Sequence, residues 1–145
     1  MSVELPYAPV DGIIRRNADG LRVSAAATEE LTHRIETHGA NLAVSAAARA
    51  DEEDRKTLMA ADFPGTAVPR DDDLTLPIAP VDRIARLKID DSYRVSSDAR
   101  VALATLLETF ADDVARGATT LARHADRRTV TENDIMTYFE LLPRE

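Results

Sequence analysis

The sequence predicts an all-α protein made of two tandem copies of one unit, each a short, a long and a short helix. Leu5-Pro6-Tyr7-Ala8-Pro9-Val10-Asp11 returns as Leu76-Pro77-Ile78-Ala79-Pro80-Val81-Asp82. Arg22-Val23-Ser24 returns as Arg94-Val95-Ser96, and Asp54-Arg55-Lys56-Thr57 returns as Asp126-Arg127-Arg128-Thr129. Arg22 to Arg94 and Thr57 to Thr129 are both steps of 72 residues. Such a repeat means two copies of one supersecondary unit. In a chain of 145 residues each copy is too small to bury its apolar face well alone, and packing against its twin solves the problem. The copies are expected at residues 1–66 and 75–145, joined by a linker over 67–74.

Each copy opens on a proline-flanked short helix. Pro9 and Pro80 suit the first helical position, where a missing N–H costs nothing. Val10, Ile13, Ile14 and Val81, Ile84, Leu87 follow at helical spacing. Arg22-Val23 and Arg94-Val95 read as brief extended segments, and Ser24 and Ser96 as N-caps of the long helices. In the second copy Leu103, Leu106, Leu107, Phe110, Val114, Ala118 and Leu121 form one stripe, predicting a helix over 97–125 of roughly 40 Å. Leu31, Ile35, Leu42 and Ala46 repeat it more weakly in the first. A helix with one apolar stripe needs a long partner.

Thr129-Val130 is a further extended pair. Thr131 to Asp134 resembles a capping box opening a third helix, with Ile135, Tyr138, Phe139 and Leu142 on one face. The first copy breaks here. Met59 to Phe63 begins the equivalent helix, and Pro64-Gly65 should stop it within about two turns, since an interior proline costs about 3 kcal/mol.

Composition narrows the function. There is no Cys, so no disulfide framework, thiolate metal site or thiol nucleophile. No signal peptide and no apolar stretch of about 18 residues is visible, which makes a soluble cytoplasmic protein the expectation. His33 and His38 are five apart and share no helix face, so with Glu36 they are not expected to hold a metal. No Gly-rich phosphate loop, nucleophile with a base or supported carboxylate pair is present, and neither enzyme activity, a cofactor nor a small-molecule substrate is expected. Net charge is −8, with 8 basic and 14 acidic residues up to Asp73 and 10 and 12 thereafter. Only Lys56 and Lys88 are lysines. Acid displacing lysine points to a salt-rich interior, where repulsion acts over only about 3 Å at 1 M salt.

The second copy, from Leu76 to Ile84, Arg94-Val-Ser-Ser-Asp-Ala-Arg100, Leu121-Ala-Arg-His-Ala-Asp-Arg-Arg-Thr129 and Glu132-Asn-Asp-Ile135, resembles an archaeal histone nearly end to end. With the acidic first copy in front, the whole chain resembles the histone doublets of halophilic archaea. The resemblance implies two histone folds crossing their long helices in an intrachain handshake pseudo-dimer. It implies double-stranded DNA as partner, bent or wrapped with little sequence preference, and a place on the chromosome. A histone-fold transcription regulator or interaction scaffold is the alternative.

The resemblance also distributes roles. Arg22 and Arg94 match the family's minor-groove arginine. Arg55, Lys56, Thr57 and Arg127, Arg128, Thr129 match the phosphate-facing loop. Arg15, Arg83 and Arg86 match basic residues of the first helix, whose dipole also favours phosphate. Asp62 and Asp134 match the carboxylates bracing that loop against its first arginine. Leu121, His124 and Asp134 match the surface joining histone dimers end to end, where the first copy has Arg49, Glu52 and Asp62. Two chains are therefore expected to join through their second copies. With Gly12 in place of Arg83 and Asp51-Glu52-Glu53 before its loop, the first copy should contribute less to DNA binding.

Overall fold

A computed structural model describes residues 4–65 and 73–143. The elements run α1 (Tyr7–Asn17), β1 (Arg22–Val23), α2 (Ala25–Glu52), β2 (Thr57–Leu58), a 3₁₀ turn (Ala60–Asp62), α3 (Ile78–Ala85), β3 (Arg94–Val95), α4 (Ser97–His124), β4 (Thr129–Val130) and α5 (Glu132–Leu141). Most of the linker expected at 67–74 lies outside the described residues.

The strand pairing fixes the architecture. β1, just before α2, pairs in parallel with β4, just after α4. β2, just after α2, pairs in parallel with β3, just before α4. Both pairings hold only if the two 28-residue helices run head to tail. They touch at their middles, where the His38 and Phe110 rings stack 4.1 Å apart. A Cβ built on Gly39 would lie 2.7 Å from Ile84 Cγ2 and 3.0 Å from Leu107 Cδ1, so any larger residue here would force those side chains to shift. The result is two histone folds closed on each other within one chain, around a single core.

The core follows the apolar stripes. Leu31, Ile35 and Ala46 of α2 and Leu103, Leu107, Val114 and Ala118 of α4 are buried, as are Val10, Ile13, Ile14, Val81, Ile84 and Ile135. Ser24 and Ser96 each accept the N–H of the residue three ahead at 3.1 Å, capping the long helices. A symmetric pair of carboxylates secures the short ones: Glu36 accepts the N–H groups of Glu4 and Leu5, and Glu108 those of Thr75 and Leu76.

Several local expectations need correction. α1 and α3 begin at Tyr7 and Ile78, so Pro9 and Pro80 sit third in their helices. They are tolerated there because first-turn N–H groups have no intrahelical acceptor. Leu87 lies beyond the end of α3 and is exposed, and Leu142 caps α5 outside its packed face. In the first copy the third helix is a single 3₁₀ turn. Phe63 leaves helical geometry with φ −112° and ψ 78°, because a residue before proline is pushed out of the α region. Its ring is nonetheless buried, at the position corresponding to Ile135.

Candidate nucleic-acid interface

The head-to-tail crossing builds two ends, each from both copies. At the first, the Arg22 N–H donates to the Arg128 carbonyl at 2.9 Å, and Arg22 stands opposite Thr129. At the second, the Arg94 N–H donates to the Lys56 carbonyl at 2.8 Å, and Arg94 stands opposite Thr57. The expected groups thus gather as Arg22 with Arg127, Arg128 and Thr129, and as Arg94 with Arg55, Lys56 and Thr57. The repeat sorts these residues by copy; the fold sorts them by end.

Each end is anchored by a buried carboxylate. Asp62 accepts from both terminal nitrogens of Arg55 at 3.0 Å and from the Met59 N–H at 2.8 Å. Asp134 accepts from Arg127, and from the Thr131 N–H at 2.9 Å and hydroxyl at 3.0 Å. The Arg55 guanidinium holds the Asp62 carboxyl below the usual carboxylate range. Burial alone would push Asp134 up, yet Arg127 and Thr131 outweigh it and the net shift is downward. The preceding turns use left-handed backbone at Asp54 (φ 58°) and Asp126 (φ 59°). There the N–H groups of Arg55 and Arg127 reach back to Ala50 and Ala122 at 2.9 Å, closing the helix C-termini.

The cations differ in what already holds them. Arg22, Arg94 and Arg128 are exposed, and among the described residues no ion pair engages them. Arg22 and Arg128 line one open cleft with Asp19, Gly20 and Leu21, of about 450 Å³. Arg55 is bound to Glu53 at 2.7 Å as well as to Asp62. Lys56 lies 3.6 Å from Asp51 and 4.4 Å from the centre of the Tyr93 ring.

The short-helix cations are mostly paired. Arg15 meets Asp11 at 2.7 Å, Arg83 meets Glu4 at 2.9 Å, and Arg86 meets Asp82 at 3.0 Å. Arg15 and Arg83 each keep about half of their side chains exposed, and Arg86 somewhat less. Arg16 ties the copies together instead, contacting Asp112 at 3.0 Å and the Thr75 hydroxyl at 2.9 Å. Asp112, at this junction, is not matched by any repeated motif in the sequence. The Tyr93–Asp51–Lys56 cluster is equally invisible there, because its members come from different copies.

On the surface expected to join chains, His124 is exposed, Leu121 is half-buried and Asp134 is 2% exposed. Its carboxylate is turned inward to Arg127 and Thr131. In the first copy Arg49 donates to the Asp62 carbonyl at 2.8 Å, and Glu52 is exposed. Away from these surfaces, Glu36 is buried against the Glu4 and Leu5 N–H groups, while His33 is exposed. Among the described residues no cluster of three or more His, Asp or Glu side chains is disposed to hold a metal. No helix described is long and apolar enough to cross a membrane.

Comparisons with known proteins bear on the family and the fold. Residues 3–64 and 74–137 each match the family described as histone-like transcription factor (CBF/NF-Y) and archaeal histone. The chain is 50% identical over 60 residues to the archaeal histone HAN1 of Thermococcus zilligii, covering 41% of this chain and 87% of that protein. It is 36% identical over 69 residues to DNA polymerase epsilon subunit 3 of Drosophila melanogaster, covering 48% of this chain and 54% of that protein. Among solved structures, the histone of Methanopyrus kandleri superposes with a TM-score of 0.72 at 25% identity over 92% of each chain. A Thermus thermophilus protein, at 19% identity, shares the fold with a TM-score of 0.73 over 97% of this chain and 99% of its own. Family and fold together support a DNA-binding role. The chain belongs to the family of histone-like transcription factors and archaeal histones, as two tandem histone folds in one polypeptide.

Proposed function

We propose that this chain is a histone doublet of the haloarchaeal type that binds and bends duplex DNA with little sequence preference, as part of chromosome organisation. The observation that carries the reading is the pair of composite ends. Each presents an exposed arginine free of carboxylate partners among the described residues beside a threonine and a basic loop. The ends stand at opposite tips of 28-residue helices, roughly 40 Å apart. That is close to the ~34–36 Å of one duplex turn, so both can face one side of the DNA. Arginines placed where the minor groove turns inward, with backbone contacts alongside, are how histone octamers hold DNA without reading bases. In this reading Arg22, Arg94 and Arg128 make the principal contacts. Arg15, Arg83 and Arg86 contribute where DNA crosses the short helices, Lys56, Thr57 and Thr129 flank the arginines, and Asp62 and Asp134 brace the loops.

Binding to random duplex over a KCl series tests it. Affinity should fall linearly on logarithmic axes as counterions are released and stay measurable at molar salt. The second reading is a histone-fold regulator or scaffold that does not package DNA. A net charge of −8 and the likeness to a component of a DNA polymerase favour it. A folded chain that binds no duplex at any salt would leave that reading standing.

We also propose that two chains join through Leu121, His124 and Asp134 of their second copies. The first copy lacks a full third helix and carries Arg49 and Glu52 there, so growth stops at two chains. Unlimited growth on long DNA in analytical ultracentrifugation would refute this.

A further inference from the structure

The two ends are built to the same plan, yet three corresponding positions differ in chemistry. Where the second end has Tyr93, Asp51 and Lys56, the first has Leu21, Arg123 and Arg128. At the second end the buried Tyr93 donates its hydroxyl to Asp51, with both carboxylate oxygens at 2.6 Å. That contact orients an otherwise exposed carboxylate toward Lys56 Nζ, 3.6 Å away, while the ammonium also lies over the Tyr93 ring at 4.4 Å. The first end has neither a ring nor a carboxylate at these places. Its Arg123 turns to Asp19 at 2.7 Å, leaving Arg128 with no ion pair among the described residues.

We propose that Asp51 and Tyr93 are positioning residues that hold Lys56 away from phosphate, so that DNA is gripped chiefly from the Arg22–Arg128 end. This rests on the DNA-binding reading above. To reach a phosphate, Lys56 must give up an ion pair and a cation–π contact together. It is not silent through loss of charge, because the Tyr93 hydroxyl, and to a lesser degree Asp51, raise its pKa. Arg55 offers no substitute, being shared between Asp62 and Glu53, whereas Arg127 has Ala125 in place of that glutamate. Arg94 is left as the one cation of this loop pair without a carboxylate partner among the described residues. The duplex contact therefore has a strong end and a weak end.

The test uses the full chain, a random duplex and a KCl series read by fluorescence anisotropy. Lys56→Ala should leave the affinity within about twofold and the salt slope unchanged, whereas Arg128→Ala should reduce the slope by about 0.9, the share of one phosphate contact. Asp51→Asn should raise the slope by about 0.9, and adding Lys56→Ala should abolish that gain. Asp54→Asn removes the same charge three residues along, at a left-handed position that asparagine tolerates, and should leave the slope unchanged. Lys56→Ala costing as much as Arg128→Ala, or an Asp51→Asn gain that survives Lys56→Ala, overturns the proposal. The contact is also readable without DNA. After reductive methylation with ¹³C, Asp51→Asn should move the NMR signal of Lys56 and spare that of Lys88; an unmoved Lys56 signal overturns the clamp. A folded wild-type chain that binds no DNA overturns the functional reading instead, whatever the lysine signals show.

Discussion

Arg22 donates its backbone N–H to the carbonyl oxygen of Arg128 at 2.9 Å, and this bond makes neighbours of two residues from different copies. In the proposed reading, the unit offered to DNA is therefore an end of the molecule and not a copy of the repeat.

Arg22→Ala and Arg128→Ala should consequently couple. Residues sharing one site give non-additive losses of about 0.5–3 kcal/mol, whereas distant sites add within about 0.5 kcal/mol. Arg22→Ala combined with Arg94→Ala joins opposite ends and should be close to additive. Anisotropy titrations of the single and double variants distinguish these outcomes. Reversing the charges of Arg127 and Arg128 should likewise cost more affinity than reversing Arg55 and Lys56, and equal losses would contradict the asymmetry.

Both halves of the core belong to one chain, which replaces a bimolecular association by a local one at an effective concentration of order millimolar. The denaturation midpoint should stay constant over a hundredfold dilution. Circular dichroism in high salt checks this on a Leu121→Asp variant, in which the proposed joining of two chains is disrupted; a midpoint that still falls on dilution would show that the histone folds pair between chains.

Gly39→Ala should destabilise the protein although alanine is the better helix former. The local preference favours alanine by about 1 kcal/mol, but the new methyl lies 2.7 Å from Ile84 Cγ2 and 3.0 Å from Leu107 Cδ1. Overpacking of this kind costs about 1–3 kcal/mol, so the net loss is on the order of 1 kcal/mol. Urea denaturation measures it directly, and an increase in stability would mean the helices separate without cost.

Acid should weaken both loop braces. The folded Asp62 and Asp134 carboxyls lie below their ordinary value of 3.8. Each contribution is thus fully present well above that value and is lost as pH falls through it toward the lower folded value. Asp134→Asn should cost about 1–3 kcal/mol at neutral pH, the range for leaving a buried polar partner unmatched. The double variant with Asp62→Asn should show a flatter loss of stability below about pH 4. An acid limb as steep as that of the wild type would mean other carboxylates dominate.

Much of the fold was legible because it depends on periodic local choices. The stripe from Leu103 to Ala118, the serine caps at Ser24 and Ser96 and the box at Thr131–Asp134 each specify an element through nearest-neighbour spacing. The interruption at Pro64 was legible for the same reason, since a proline restricts its own and the preceding residue. Leu87 and Leu142 were misplaced because helix ends depend on where the chain turns away, which a spacing pattern does not record.

The sequence by itself determined two tandem helical units, the first with its third helix cut short, their family and the residue types suited to duplex DNA. Tertiary structure alone decided how those residues combine. Head-to-tail packing of α2 against α4 set Arg22 beside Arg128, brought Tyr93 onto Asp51 and Lys56, and joined Arg16 to Asp112. Such contacts link positions far apart in the chain, and their energies depend on distances that only packing fixes. That is why a repeat nearly symmetric in sequence folds into two ends with unequal hold on their cations.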